Sequence, residues 1–269
     1  MTNFWKKVLC GTLTLSLCLG LGSSIALTAD SLEAVKQAGK LVVATSPDYA
    51  PYEFLDKEGK PVGADISLAQ YIADQLGVEL VVEALSFDAV LAAVSTGKCD
   101  FGIAGMVPKD ERKEVMDFTD VYYNDGDQCI VILKENAESF KTLADFDGKM
   151  VAAQNGTLQQ SLVAEQLPGA TMEPITAIPD AIMMVKTKKV DGLALASVVA
   201  NNWIAQNPDL AICETRFDYA SLGVAIALSK GKPELLAAIN DILKQVEADK
   251  MYYTWMEEAV MLSNSLNQQ

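Results

Sequence analysis

The chain alternates two hydrophobic periods. Leu41-Val42-Val43-Ala44-Thr45 is an apolar run of strand length, Ile66 to Leu76 carries apolar residues at helical spacing, and Val78 to Ala84 returns to a strand. Ser86 then stands as an N-cap before a helix over Phe87 to Ser95, and Asp100 to Val107 reads as the next strand. Strands separated by helices predict βαβ units and a mostly parallel sheet.

The same pattern returns further along. Gly148 to Ala153 is strand-like, Asn155-Gly156-Thr157 punctuates it, and Leu158 to Gln166 is helical. The segment Pro179 to Ser197 then echoes Phe87 to Gly105, as helix, basic turn, aspartate and apolar strand. Two similar α/β units predict two lobes. Leu222 to Leu228 is a further strand. Pro233 to Trp255 predicts one long terminal helix with Leu236, Ile239, Ile242, Leu243 and Val246 turned inward. A tail that returns to the first lobe makes the chain cross between lobes twice, which is a hinge with a cleft beside it.

The first residues change the picture of where such a chain works. Lys6 and Lys7 precede an apolar run from Val8 to Leu21 and then small residues, the pattern of a secretory signal cut after Ala29. Asp30 stands where a lipoprotein signal needs its cysteine, and Cys10 and Cys18 have poor flanks, so a soluble exported protein is expected. Without the two leader lysines the balance is 19 basic to 36 acidic residues, a charge of −17. That surface disfavours nucleic acid and anionic membranes.

Composition also removes chemistry. There is no histidine, which excludes a His-based metal site and any Ser-His or Cys-His nucleophile pair. Cys99, Cys129 and Cys213 match no zinc spacing and allow at most one disulfide.

Ligands of open α/β sheets gather beyond the carboxyl ends of the strands, and several marked segments fall there. Thr45 to Phe54 is a proline-braced loop carrying Tyr49, Tyr52 and Phe54; Phe87 opens a helix and pairs with Tyr49 as a second apolar wall. Gly105, Pro108 and Arg112 follow the strand of the first unit. Read alone, Arg112 sits among Asp110, Glu111, Lys113 and Glu114, a run that faces water. Gln154-Asn155-Gly156-Thr157 suits an anion and equally an ordinary helix cap.

In order, Thr45 to Phe54, Val62 to Gly77, Ser86 to Tyr123, Val151 to Thr157 and Lys188 to Ser197 resemble the bacterial extracellular solute-binding proteins, family 3, of polar amino-acid ABC transporters. The resemblance runs from about Gly39 to Met261 and implies a two-lobed periplasmic-binding-protein-like α/β fold with a two-strand hinge (type II). Residues 30–126 with 223–269 would form one lobe and 127–222 the other, after a signal peptide over 1–29. It implies an extracytoplasmic receptor that encloses an amino acid or small carboxylate, needs no cofactor or metal, is a monomer, and hands its ligand to membrane permease subunits.

By the same resemblance Tyr49 and Phe87 sandwich the ligand side chain, Arg112 grips its α-carboxylate as a bidentate guanidinium does, and Thr157 reaches the same group. Gly105 contributes backbone, and Ser46, Ala104, Val107, Gln154, Leu158, Gln159 and Ala196 complete the expected lining. Three positions depart from the family pattern. Gly63 to Leu68 lacks an aromatic and an acid, Val107 replaces a hydroxyl residue, and Ala196 stands where an acid pairs the α-ammonium group. A buried ammonium without a counter-charge is costly, so either another acid supplies it or the ligand has no α-amine. Ser46 replaces an aspartate common in members that take cationic side chains, which argues against lysine or arginine. Two rival readings share the scaffold: a periplasmic cyclohexadienyl dehydratase acting on prephenate or arogenate, although Ala196 offers no general acid, and a ligand-sensing module.

Overall fold

The computed structural model describes residues 31–266, so the signal reading falls outside the described residues. The first half runs α1 (Ser31–Ala38), β1 (Lys40–Thr45), β2 (Asp48–Tyr49), β3 (Glu53–Leu55), β4 (Pro61–Val62), α2 (Ala64–Leu76), β5 (Glu79–Ala84), α3 (Phe87–Ser95), β6 (Phe101–Gly102), α4 (Asp110–Val115) and β7 (Met116–Phe118). The second continues β8 (Gln128–Leu133), β9 (Met150–Gln154), α5 (Leu158–Gln166), β10 (Thr171–Ile175), α6 (Ile178–Lys186), β11 (Gly192–Ala196), α7 (Ser197–Gln206) and β12 (Leu210–Ile212). It ends with β13 (Ala227–Ser229), α8 (Pro233–Ala248) and α9 (Met251–Leu266). None of the described helices is long and apolar enough to cross a membrane.

Two five-stranded sheets share one plan. Their orders are β5-β1-β6-β13-β7 and β10-β9-β11-β8-β12. In each, the strand after the first helix pairs on one side of the leading strand and the strand after the second helix on the other, both in parallel. The echo in the sequence has a physical content here. Asp100 accepts the Val42 N–H at 2.7 Å and Asp191 accepts the Met150 N–H at 2.9 Å, so the repeated aspartate pins the leading strand of each sheet.

The sheets are mixed rather than mostly parallel. The other two pairings in each are antiparallel, and they involve β13 and β8. Both strands arrive directly from the opposite lobe without a crossover helix, and a direct arrival allows the reversed direction. Between the sheets the chain passes at residues 119–127 and 213–226. The two passages lie side by side: Tyr123 and Val224 form an antiparallel bridge, and the Val224 N–H donates to the Tyr123 carbonyl at 2.8 Å. Gly223 turns there with φ +70°, and a Cβ would lie 2.4 Å from Val121 Cγ1, so only glycine fits.

Other expectations need correction. The terminal helix is two helices, because Lys250 takes φ 53° and breaks the run after α8 with no glycine or proline to signal it. Leu235 joins Ile239, Leu243 and Val246 in the core, while Leu236 and Ile242 are partly buried. Only Phe101–Gly102 of the segment from Asp100 to Val107 forms ladder, and β13 begins at Ala227 rather than Leu222. Ser86 precedes α3 but directs its hydroxyl to Asp88 and makes no side-chain cap bond. Cys99, Cys129 and Cys213 are all buried and free, with no disulfide among the described residues.

Candidate functional site

All twelve sequence-predicted positions line one cleft between the sheets: Ser46, Tyr49, Phe87, Ala104, Gly105, Val107, Arg112, Gln154, Thr157, Leu158, Gln159 and Ala196. Asp48, Tyr52, Glu53 and Asp125 line it too, and the sequence reading assigned none of these four a ligand role. The cleft holds about 440 Å³ of empty space, its open mouth included.

Arg112 is not a solvated charge. It is 7 % exposed, while Asp110, Glu111, Lys113 and Glu114 around it face water. The short helix α4 turns one residue inward and the rest outward. Arg112 Nη1 donates to the Val107 carbonyl at 2.7 Å and Nη2 to the Gly156 carbonyl at 2.8 Å, with the guanidinium 5.2 Å from the centre of the Phe87 ring. Burial pulls its pKa down to about 10, which leaves it charged at neutral pH. Among the described residues no ion pair involves it. A buried guanidinium with two of its five N–H donors on carbonyls has donors left for an anion.

Opposite it, α5 presents its N-terminus, with Thr157, Leu158 and Gln159 buried. Both readings of this turn have a basis. Thr157 Oγ1 is the helix cap, accepting from the Gln160 N–H at 3.2 Å and donating to the Gln154 carbonyl at 2.7 Å. Its hydroxyl hydrogen is committed to Gln154, so the groups that remain toward an anion are the N–H donors of the first turn.

Tyr49 spans the cleft. Its hydroxyl accepts from Gln159 Nε2 at 3.2 Å and from the Ala196 N–H at 3.3 Å. Its ring stacks on Tyr52 with centroids 5.8 Å apart. Gly105 lies under both rings at φ +50°; a Cβ there would be 3.3 Å from Tyr49 Cδ1. The Gly105 N–H donates to Asp65 at 2.8 Å, and Asp65 also accepts from Tyr122 at 2.9 Å and Tyr252 at 2.6 Å. That carboxylate anchors the floor.

An acid lies one hydrogen bond away from the register partner of Ala196. Gln128 is the register partner of Ala196, and its amide donates to Asp125 at 2.8 Å. Asp125 stands in the first passage between the lobes and also accepts from the Ser221 hydroxyl, in the second passage, at 2.6 Å. Burial raises its pKa, and its two hydrogen-bond donors are neutral. A cation beside it would relieve that strain. Nothing in the local sequence marks Asp125, which lies between strands and belongs to no helical or strand repeat.

Glu53 is another of the four missed residues. It is fully buried on the cleft wall, its carboxyl against that of Asp65 and receiving no N–H donor among the described residues. Burial, then the charge of Asp65 and the hydrogen bond that joins the two carboxyls, and last the charge of Asp48, push its pKa well above the usual carboxylate range. A buried acid with no donor is costly unless a cation or proton meets it. The cleft therefore carries a lone guanidinium against the carboxyls of Asp48, Glu53 and Asp125.

A model of bacterial extracellular solute-binding proteins, family 3, matches residues 41–258. The chain is similar to an amino acid ABC transporter substrate-binding protein of Streptococcus pneumoniae solved bound to L-arginine, at 38 % identity and TM-score 0.82, covering 86 % of this chain and 98 % of that one. It is similar to the arginine-binding extracellular protein ArtP of Bacillus subtilis, at 34 % identity over 77 % of this chain and 81 % of that protein. It is also similar to the ancestral amino acid-binding protein AncCDT-1, a precursor of cyclohexadienyl dehydratase, at 32 % identity and TM-score 0.79, covering 86 % of this chain and 99 % of that one.

Proposed function

Because the chain belongs to the bacterial extracellular solute-binding proteins, family 3, and is an amino-acid receptor of an ABC importer, we infer that its ligand is an amino acid with a cationic side chain. Arg112 and the first turn of α5 take the α-carboxylate, Asp125 takes the α-ammonium group in place of an acid at residue 196, and Glu53 takes the side-chain cation. Tyr49 and Phe87 supply the apolar walls between these ends.

The observation that carries the reading is Glu53, a fully buried carboxyl on the cleft wall whose charged neighbours, Asp65 and Asp48, are themselves acids. Ser46 argued against a basic ligand because the family's usual acid is absent from that position. Glu53, on β3, supplies that side-chain charge instead. Relatives and neighbours named for arginine agree with this ligand class.

A calorimetric comparison of L-arginine with L-citrulline, and of L-lysine with L-norleucine, tests it. The members of each pair have similar shape and differ in side-chain charge. Cationic members are expected to bind at least tenfold tighter, and equal affinities within each pair would overturn the assignment to Glu53. Ligand binding stabilises the closed lobes, which permease subunits then recognise. As a receptor the protein is expected to form no phenylpyruvate from prephenate, and spectrophotometry checks this directly.

A further inference from the structure

Helix α6, in the second lobe, begins without a cap of its own. Its N-cap position is Ala177, which has no side-chain oxygen, and Pro179 follows without an N–H. The Ile178 N–H is not orphaned, however. It donates at 2.9 Å to Oδ2 of Asp48, which lies 130 residues earlier on β2 of the first lobe.

The same oxygen accepts from Gln154 Nε2 at 2.9 Å, and Gln154 belongs to β9 of the second lobe. Gln154 Nε2 also donates to the Thr176 carbonyl at 2.9 Å, which ties it to the segment leading into α6. Within its own lobe, among the described residues, the Asp48 side chain receives the Ser46 hydroxyl, at 3.1 Å on Oδ1, and its own backbone N–H. Both N–H donors on Oδ2 thus come from across the cleft.

We propose that Asp48 is the closing latch of the receptor, a helix cap supplied in trans that α6 receives only when the lobes meet. The carboxylate meets the positive end of α6 and the amide at the end of β9, and both contacts break when the lobes part. The Gln154 carbonyl, in turn, accepts the hydroxyl of Thr157, the cap of α5. One carboxylate therefore ties the first lobe to the entry of α6 and, through Gln154, to the entry of α5. Asp48 is a positioning residue: it acts on the closing equilibrium and not on ligand atoms. The idea requires that the lobes close on a ligand and does not depend on which amino acid it is.

The latch makes a prediction that a ligand-contacting residue does not. A change in closing free energy multiplies every dissociation constant by the same factor. In Asp48→Ala, every amino acid that binds the wild-type receptor should bind about 2- to 30-fold more weakly, the range expected for loss of a helix cap, and Asp48→Asn, which keeps a capping oxygen, should lose less. The ranking of ligands should stay unchanged. Small-angle scattering of the ligand-saturated variants should show a larger radius of gyration than the wild type.

A second variant keeps the test decisive if those proteins fold poorly. Ala177→Asp gives α6 a cap from its own lobe and leaves the cleft residues and Asp48 in place. Once α6 is capped in cis, closure gains less from Asp48, so affinity should fall while the melting temperature of the ligand-free protein holds or rises. Affinities unchanged from wild type in both Asp48→Ala and Ala177→Asp would overturn the latch. So would a loss confined to one ligand class, which would place Asp48 on the ligand. A wild-type protein that binds no amino acid would instead refute the ligand assignment and leave the latch to be read from scattering alone, where equal radii in Asp48→Ala and wild type would overturn it.

Discussion

Arg112 on the first lobe reaches Gly156 on the second, its Nη2 donating to that carbonyl at 2.8 Å. The contact places a buried guanidinium at the seam that a ligand would occupy, against the turn that opens α5. Arg112→Ala is expected to lower affinity for any α-carboxylate ligand about 30-fold or more, since losing one partner of a buried charged pair costs about 2–5 kcal/mol. Arg112→Lys should recover little of it, because an ammonium cannot reproduce the planar fork. Calorimetry on the two variants measures both; affinity unchanged in Arg112→Ala would return the residue to a structural role.

Asp125 separates the ends of the ligand. Asp125→Asn is expected to weaken an amino acid about 10- to 100-fold and to leave the matching deaminated carboxylic acid nearly unaffected, because only the former presents an ammonium group to an acid without a cationic partner. Equal losses for both ligands would show that Asp125 holds the hinge through Ser221 and not the ligand.

Glu53 gives a pH signature. Its folded pKa is raised above the unfolded carboxylate value, mainly by burial. The native state therefore holds a proton that the unfolded state releases, and the stability it contributes is present below the unfolded pKa and lost as pH rises through the folded one. Asp48, Asp65 and Asp125 are shifted the same way, also by burial. The ligand-free protein should melt at a lower temperature at neutral pH than in mild acid, and Glu53→Gln should flatten that slope. Scanning calorimetry across the carboxylate range checks it. A basic ligand should also release a proton on binding, read as a dependence of the binding enthalpy on the buffer.

Asp65 supports the floor of the cleft. Asp65→Ala leaves the Gly105 N–H and the hydroxyls of Tyr122 and Tyr252 without their acceptor. The expected cost is roughly 3 kcal/mol or more, a fall in melting temperature of about 10 °C for a domain of this size. Thermal unfolding of the ligand-free variant measures it.

The three thiols should be inert in the folded state. Cys99, Cys129 and Cys213 are buried, and burial raises the pKa of each, to about 11 for Cys99 and about 12 for Cys129. A thiol reagent at neutral pH should titrate them only after denaturation, because the thiolate is the reactive form.

The sequence by itself determined the periodic elements and the doubled α/β plan, and its resemblance to the family supplied the positions that meet in the cleft. Apolar spacing and chain order carry that information locally, as the paired aspartates Asp100 and Asp191 illustrate. Chain order alone did not reveal the direction of β8 and β13, because a hinge strand and a crossover strand have the same apolar pattern. Periodicity also missed the break at Lys250, where a left-handed residue interrupts an otherwise continuous helical stripe. Tertiary structure alone decided the charges. Arg112 looked solvated in its acidic neighbourhood, and burial depends on what packs over it. Glu53, Asp125 and Asp48 carry no local signal at all. Their environments are built by partners far away in the chain, such as Ile178 for Asp48 and Ser221 for Asp125, and electrostatics depends on distance in space and not along the sequence.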